Sequence, residues 1–168
     1  MNKESDNLSA EMILYALALK DSGAPASAEN GIEAIKRMIE LIGLDADNYS
    51  FADGSGISRY NLVSAELTIT IIKYFFYSQP DIFNTFYNTL PTAGIDGTIE
   101  KRMRKTLAEG NVTAKTGTLN GVSTLSGLVN DATGDLIAFS IFIQNYTAKN
   151  SAARKFIDTI CELLAEFK

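Results

Sequence analysis

Histidine and tryptophan are absent from this chain of 168 residues, cysteine occurs once and proline three times. Without an imidazole no Ser-His-Asp triad can form, and one thiol with no histidine leaves nothing to build a thiol or imidazole metal cluster. Nucleophilic chemistry here would need some other base. The lone Cys161 lies in the apolar pattern "FIDTICELLAEF" and reads as a buried structural thiol. Basic residues are also short, 15 Lys and Arg against 20 Asp and Glu, a net charge of −5. That balance argues against a phosphate-backbone binder, which depends on clustered cations that release counterions, so nucleic acid is not an expected partner. No apolar run approaches the roughly 20 residues of a membrane span. The start, "MNKESDNLSA", has no apolar stretch of signal-peptide type. Acidic pairs such as Asp45 and Asp47 read as loop caps rather than a calcium site, and neither a metal nor an organic cofactor is implied.

What is present suits a globular chain, with 46% hydrophobic and 21% charged residues, enough to bury a core. There are no repeats, low-complexity tracts or linkers, so a single domain over 1–168 is expected, mainly helical over 1–110 and β-rich with a closing helix over 111–168. "NLSAEMILYALALK" repeats Leu8, Met12, Tyr15 and Leu19 at helical spacing, and "DSGAP" ends it with turn chemistry. "GIEAIKRMIELIGLD" sets Ile32, Ile35, Ile39 and Ile42 on one face, with Gly43 placed for a left-handed C-terminal residue. "FADGSGISRYN" is a turn-rich loop, and "SAELTITIIKYFFYS" is a buried helix or a strand, its length favouring the helix. "PDIFNTFYNTLP" and "DGTIEKRMRKTLAEG" read as short helices, the second with a solvated basic face of Lys101, Arg102, Arg104 and Lys105.

From position 112 the period changes to two. "NVTAKTGTLNG", "STLSGLVNDATGD" and "LIAFSIFIQNY" predict three antiparallel strands, with Gly134 in the "NDATGD" hairpin at a positive φ. The closing "SAARKFIDTICELLAEFK" carries Phe156, Ile157, Ile160, Leu163, Leu164 and Phe167 as a wide apolar stripe for a sheet face. The fold class is therefore α/β in the α+β sense, a helical half followed by a three-stranded antiparallel sheet with a helix packed on it.

Chemistry concentrates in "VTAKTGTLNG". Side chains alternate along a strand, so Lys115 and Gly117 point one way and Thr116 and Thr118 the other. A strand edge without a side chain at Gly117 lets a ligand lie against the backbone, and a cation flanked by hydroxyls suits a carboxylate. Far upstream, residues 5 to 7 read Ser-Asp-Asn just before the first helix, where these residue types also serve as N-caps. Ser-Asp-Asn and Lys-Thr-Gly, with Ser-x-x-Lys, form the signature set of penicillin-recognising serine enzymes. Two of the three occur here in that order.

Through "SDNLSAEM", "FADGSGISRYNLVS", "LPTAGIDGTIEKRM" and "AKTGTLNGVSTLSG" the chain resembles the C-terminal part of a penicillin-binding protein of the D-Ala-D-Ala carboxypeptidase/endopeptidase type, peptidase family S13, over nearly its whole length. The resemblance implies a partial β-lactamase/transpeptidase-like fold and a serine-type carboxypeptidase acting on peptidoglycan stem peptides through an acyl-enzyme. Ser5 would help pass a proton to the leaving amine, and the Asn7 amide would hold a carbonyl of the peptide. Lys115 would supply positive potential, while the Thr116 and Thr118 hydroxyls would bind the carboxylate of D-Ala-D-Ala or of a β-lactam. Gly117 would keep the strand open, the Thr118 N–H would serve an oxyanion hole, and Arg59 would lie near the carboxylate pocket. Where many of these enzymes carry a serine two places after the second threonine, this chain has Asn120.

The largest departure is an absence. No lysine in the chain has a serine three places before it, and the nearest formal matches, Thr70-Ile-Ile-Lys73 and Thr98-Ile-Glu-Lys101, fit helix-surface positions. The family's sheet would have five strands, two of them from a portion this sequence does not contain, which would leave "LIAFSIFIQNY" as a long apolar edge prone to pairing with another chain. The expected partners are therefore a stem peptide ending in D-Ala-D-Ala, β-lactams, and either a missing N-terminal half or a second copy at that edge. The alternative is a non-catalytic module that binds acyl-D-Ala-D-Ala or complements a nucleophile-bearing chain. The resemblance implies a periplasmic or otherwise extracytoplasmic setting for the full-length protein.

Overall fold

The apolar periods and turn residues become five helices and three strands in the computed structural model, which describes residues 1–22 and 26–168. Gly23, Ala24 and Pro25, the centre of the turn expected at "DSGAP", lie outside the described residues. The helices are α1 (Asn7–Ser22), α2 (Ala28–Leu41), α3 (Ala65–Ser78), α4 (Pro80–Thr89) and α5 (Asn150–Glu166), and the strands are β1 (Val112–Leu119), β2 (Val122–Asn130) and β3 (Leu136–Gln144). No helix among the described residues is long and apolar enough to cross a membrane. Packing divides the chain into two compact units, one of Asp6–Leu67 with Met1 and one of Asn2–Ser5 with Thr68–Lys168.

In the first unit α1 lies against α2, but on a different face from the one its periodicity suggests. Leu8, Met12 and Leu19 are 71%, 60% and 56% exposed and Tyr15 is exposed too, whereas Leu14 and Ala18 are buried. The helix is apolar almost all round, so spacing could not choose its inner face. Two glycines choose it. A Cβ on Gly31 would stand 2.4 Å from the Leu14 carbonyl oxygen, and one on Gly54 would stand 2.8 Å from that of Ala10. Ser27 caps α2 by accepting from the Asn30 N–H at 3.1 Å, and Gly43 takes the left-handed conformation expected of it, φ +87°. Asp45 accepts from the Asp47 N–H at 3.0 Å, the capping role foreseen for this loop.

The loop after α2 is built by carboxylates. Asp53 accepts from the N–H groups of Gly56 (2.6 Å) and Ser58 (2.7 Å) and from the Asn61 amide (2.9 Å). Glu11 of α1 accepts from the N–H groups of Gly54 (3.1 Å) and Ser55 (3.0 Å). The Ser55 side chain, then these N–H groups, hold the Glu11 carboxyl below its ordinary value, outweighing burial and the nearby Asp53 charge. A lowered folded-state value stabilises above the unfolded value and stops doing so as pH falls through the folded one. Glu11→Gln should therefore lose less stability than the parent as pH falls from 4.5 through the lowered folded value, read as the shift in urea midpoint; equal losses would show that the Glu11 clamp adds nothing.

In the second unit the strands run in the order β1-β2-β3, both pairs antiparallel. Leu119 pairs with Val122 across the two-residue turn Asn120-Gly121, where Gly121 has φ +72°. Asn-Gly suits such a turn because its twist requires positive φ. Gly134 in the second hairpin has φ +90°, as expected. One sheet face, with Val112, Ala114, Leu125, Val129 and Phe139, packs on Ile157, Cys161 and Ala165 of α5. The other is apolar at one end, where Leu128 meets Ile72 of α3 and Phe83 of α4. Further along, that second face turns polar, with Lys115 opposite Ser126 and Ser126 bonded to Ser140 at 2.8 Å.

Two expectations need correction here. The α5 stripe is narrower than its periodicity suggests: Ile157 is buried, but Phe156, Leu163 and Phe167 are each about 60% exposed, and the small Cys161 and Ala165 join Ile157 in the core against the sheet. Burial pushes the Cys161 thiol up to about 12, in keeping with its structural role. Residues 96–110 do not form a helix. A single 3₁₀ turn, Gly97–Ile99, gives way to successive turns with Met103 and Lys105 at φ +56° and +62°. This shape buries Met103 and Ala108 and brings Arg102 onto Asp158, so Arg102 is an ion-paired anchor and not part of a solvated face.

Candidate active site

Asp6 does the capping at the start of α1, accepting from the Ser9 N–H at 2.8 Å. Its neighbours are thereby free for other work. Ser5 holds φ +55°, a left-handed conformation that costs a non-glycine residue energy and persists only where the surroundings impose it. In the second unit the Lys115 Nζ donates to Ser5 Oγ at 2.7 Å and to the Thr116 carbonyl at 2.8 Å, joining residues 110 apart in sequence. Burial lowers the affinity of Lys115 for its proton, since the charged ammonium has lost part of its hydration.

The edge of β1 is the second component. Ala114 donates its N–H outward to the Pro91 carbonyl at 3.0 Å, and the Ala93 N–H donates to the Val112 carbonyl at 2.9 Å. Because backbone direction alternates along a strand, the N–H groups of Thr116 and Thr118 also face outward, away from β2. The 91–93 segment covers the edge only as far as Ala114, and no described strand covers it at Thr116 or Thr118. The Thr116 hydroxyl donates to Thr98 Oγ1 at 3.0 Å, and Thr118 Oγ1 accepts from an Arg154 N–H at 3.4 Å. A side chain at Gly117 would meet Thr124 Oγ1 of the paired strand at 2.4 Å, so the glycine makes room for its cross-strand partner as well as leaving the edge bare. The result is a half-buried cation, two threonine hydroxyls and two outward N–H groups along one strand, with the Ser5 hydroxyl brought up to the cation: a set of donors able to receive a carboxylate and a developing oxyanion.

Residues 1–167 match the model of the D-Ala-D-Ala carboxypeptidase 3 (S13) family. The chain belongs to that family. The D-alanyl-D-alanine carboxypeptidase DacB of Haemophilus influenzae is 37% identical over 150 residues, which are 88% of this chain and 31% of that protein. Penicillin-binding protein 4 from Haemophilus influenzae, solved in complex with a novel β-lactam, superposes with a TM-score of 0.89 at 32% identity over 99% of this chain and 40% of that one. At 18% identity an extended-spectrum β-lactamase, TLA-3, shares the fold alone, with a TM-score of 0.67 over 96% of this chain and 59% of that one. The partial β-lactamase/transpeptidase-like architecture is thus the one expected. The S13 chain spans about a third of the length of the curated relatives it matches, 30 to 36%.

Within this S13 chain, the structure brings together Ser5, Lys115 and Thr116, with Gly117 and Thr118 next along the same edge. Asn120 stands two residues further on in the hairpin turn. Asn7 opens α1, exposed, and Arg59 lies exposed on the 52–61 loop, both in the first unit. Sequence reasoning missed Thr98 and Arg154, the two residues that touch the threonine hydroxyls. By sequence Thr98 is only a formal Thr-x-x-Lys match suited to a helix surface; in the structure it stands in the Gly97–Ile99 turn against β1. The signal available was the segment "AGIDGTI", whose glycines flag a backbone that must come close to something else.

Proposed function

We propose that this chain forms the leaving-group and carboxylate side of the cleft of a serine-type D-Ala-D-Ala carboxypeptidase acting on peptidoglycan stem peptides outside the cytoplasmic membrane. The observation that carries this reading is the Lys115 Nζ to Ser5 Oγ bond at 2.7 Å, which unites the Ser-Asp-Asn and Lys-Thr-Gly elements. The terminal carboxylate binds at the Thr116 and Thr118 hydroxyls in the positive potential of Lys115. The Thr118 N–H, already facing outward, receives the oxyanion. A serine hydroxyl from a Ser-x-x-Lys segment attacks the carbonyl of the penultimate D-alanine, and Ser5, hydrogen-bonded to Lys115, relays a proton to the departing amine. Water then releases the acyl group. By the family resemblance, Asn7 holds a peptide carbonyl, and β-lactams are bound in the same way as the substrate.

These 168 residues contain no Ser-x-x-Lys. We therefore expect the intact mass of this chain to remain unchanged after incubation with a penicillin, while N-acetyl-D-Ala-D-Ala shifts the backbone amide resonances of Thr116 and Thr118. A stoichiometric adduct would overturn the assignment of the nucleophile to another segment, and unmoved amides would overturn the binding role. A second reading, a module that complements a separate nucleophile-bearing chain, draws on the outer side of β3, which pairs with no described strand.

A further inference from the structure

Ser5 precedes α1, and besides the Asn2 amide donating to Thr89 Oγ1 at 2.8 Å, its segment is held by the turn at Asp96, Gly97 and Thr98. Asp96 accepts from Lys3 Nζ with one carboxylate oxygen and from the Thr92 N–H, at 2.8 Å, with the other. The Thr98 N–H donates to the Lys3 carbonyl at 3.1 Å. Gly97, at φ +58°, leaves no room for a side chain: a Cβ would stand 2.6 Å from the Lys3 carbonyl oxygen and 3.2 Å from its Cα. Thr98 also reaches the other partner of the site, because its Oγ1 accepts from the Thr116 hydroxyl at 3.0 Å. One residue thus touches the backbone two places before Ser5 and the side chain one place after Lys115.

We propose that this turn is the positioning element of the site: Asp96 and Gly97 lock the Ser5 segment against Lys115, and the Thr98 hydroxyl sets the direction of the Thr116 hydroxyl. Without ligand, Thr116 donates to Thr98. When a carboxylate arrives, the two hydroxyls turn over together, Thr98 donating to Thr116 and Thr116 donating to the carboxylate, with no proton gained or lost. Each bond polarises the next, so the pair binds the anion better than Thr116 alone. The carboxylate half of this proposal rests on the function proposed above; the locking of Ser5 does not.

Two readouts on the full chain test the halves separately: the affinity for N-acetyl-D-Ala-D-Ala and the titration of Lys115 followed by side-chain NMR. Thr98→Val keeps the backbone N–H and removes the hydroxyl, so it should weaken the dipeptide about tenfold while leaving the Lys115 midpoint in place, and Thr98→Ser should restore affinity to within about twofold. Asp96→Asn should raise the Lys115 midpoint towards that of an ordinary lysine, because a loosened Ser5 segment admits water to Nζ. Should that variant fold poorly, Lys3→Met removes the same ion pair from the other end with the same expected shift. Parent-like affinity in Thr98→Val overturns the hydroxyl role, and an unmoved midpoint in Asp96→Asn and Lys3→Met overturns the positioning role. If the parent itself does not bind the dipeptide, the proposed function fails, and the Lys115 midpoint alone decides whether the turn positions the site.

Discussion

Lys115→Met should weaken N-acetyl-D-Ala-D-Ala binding about a hundredfold without lowering the stability of the fold. Charge-assisted hydrogen bonds to a carboxylate contribute about 1.5–3 kcal/mol, and each 1.4 kcal/mol is about a factor of ten in affinity. Methionine keeps the unbranched stem but removes the three Nζ donors, including those to Ser5 and to the Thr116 carbonyl. Stability should move the other way. Burial lowers the Lys115 value below its ordinary 10.5, so the folded state binds its proton less readily than the unfolded chain. Such a group costs stability below the lowered folded value, and the cost disappears as pH rises from there through 10.5. The parent should gain stability across that window, and Lys115→Met, already without the charge, should not. Calorimetry for binding and urea midpoints against pH check both halves. Affinity within tenfold of the parent would mean that the carboxylate is held elsewhere.

The second large effect is expected at Arg102. Its Nε and Nη2 both donate to Asp158 Oδ1, at 2.9 and 2.6 Å, and the two side chains are only 14% and 18% exposed. Removing one partner of a buried pair strands the other charge in poorly solvated surroundings, which costs about 3–5 kcal/mol. Because neither side chain is fully buried, Arg102→Met should cost about 3 kcal/mol, or about 10 °C in Tm for a chain of this size. Replacing both, as Arg102→Met with Asp158→Leu, should recover most of the loss, since no lone charge then remains. A single-variant loss under about 1 kcal/mol would put the pair in the class of surface ion pairs. The pair pins the irregular 100–110 segment to α5, and that segment leads directly into β1.

Arg102 also marks a limit of sequence reading. Among Lys101, Arg104 and Lys105 it looks like one more cation on a polar face, and only the approach of Asp158, 56 residues later, distinguishes it. The same limit applies to α1. Helical period was legible in "NLSAEMILYALALK", but a helix apolar on most sides gives no preferred face, and the inner one was decided by the bare backbones of Gly31 and Gly54. On α5, equal hydrophobicity concealed which residues touch the sheet, because close approach selected Cys161 and Ala165 over the larger Phe156, Leu163 and Phe167.

The site divides in a similar way. Ser5, Lys115, Thr116, Gly117 and Thr118 could be picked out because each stands in a short motif of unusual chemistry for its local element: a cation and two hydroxyls around a glycine in a strand, and three cap-forming residues before a helix. Thr98 and Asp96 carry no such chemical mark, only the glycines beside them. By itself the sequence determined what is encoded by near neighbours: the three strands and their turn glycines, the helices, the buried thiol, the absence of an imidazole base and of Ser-x-x-Lys, and the motifs of the S13 family. Only the tertiary structure decided which helix faces are inner, that 96–110 is a folded turn rather than a helix, that Arg102 is an anchor, and that Ser5 meets Lys115. Each of those depends on backbones brought close from dozens of residues away, where shape and desolvation act without leaving a periodic trace in the chain.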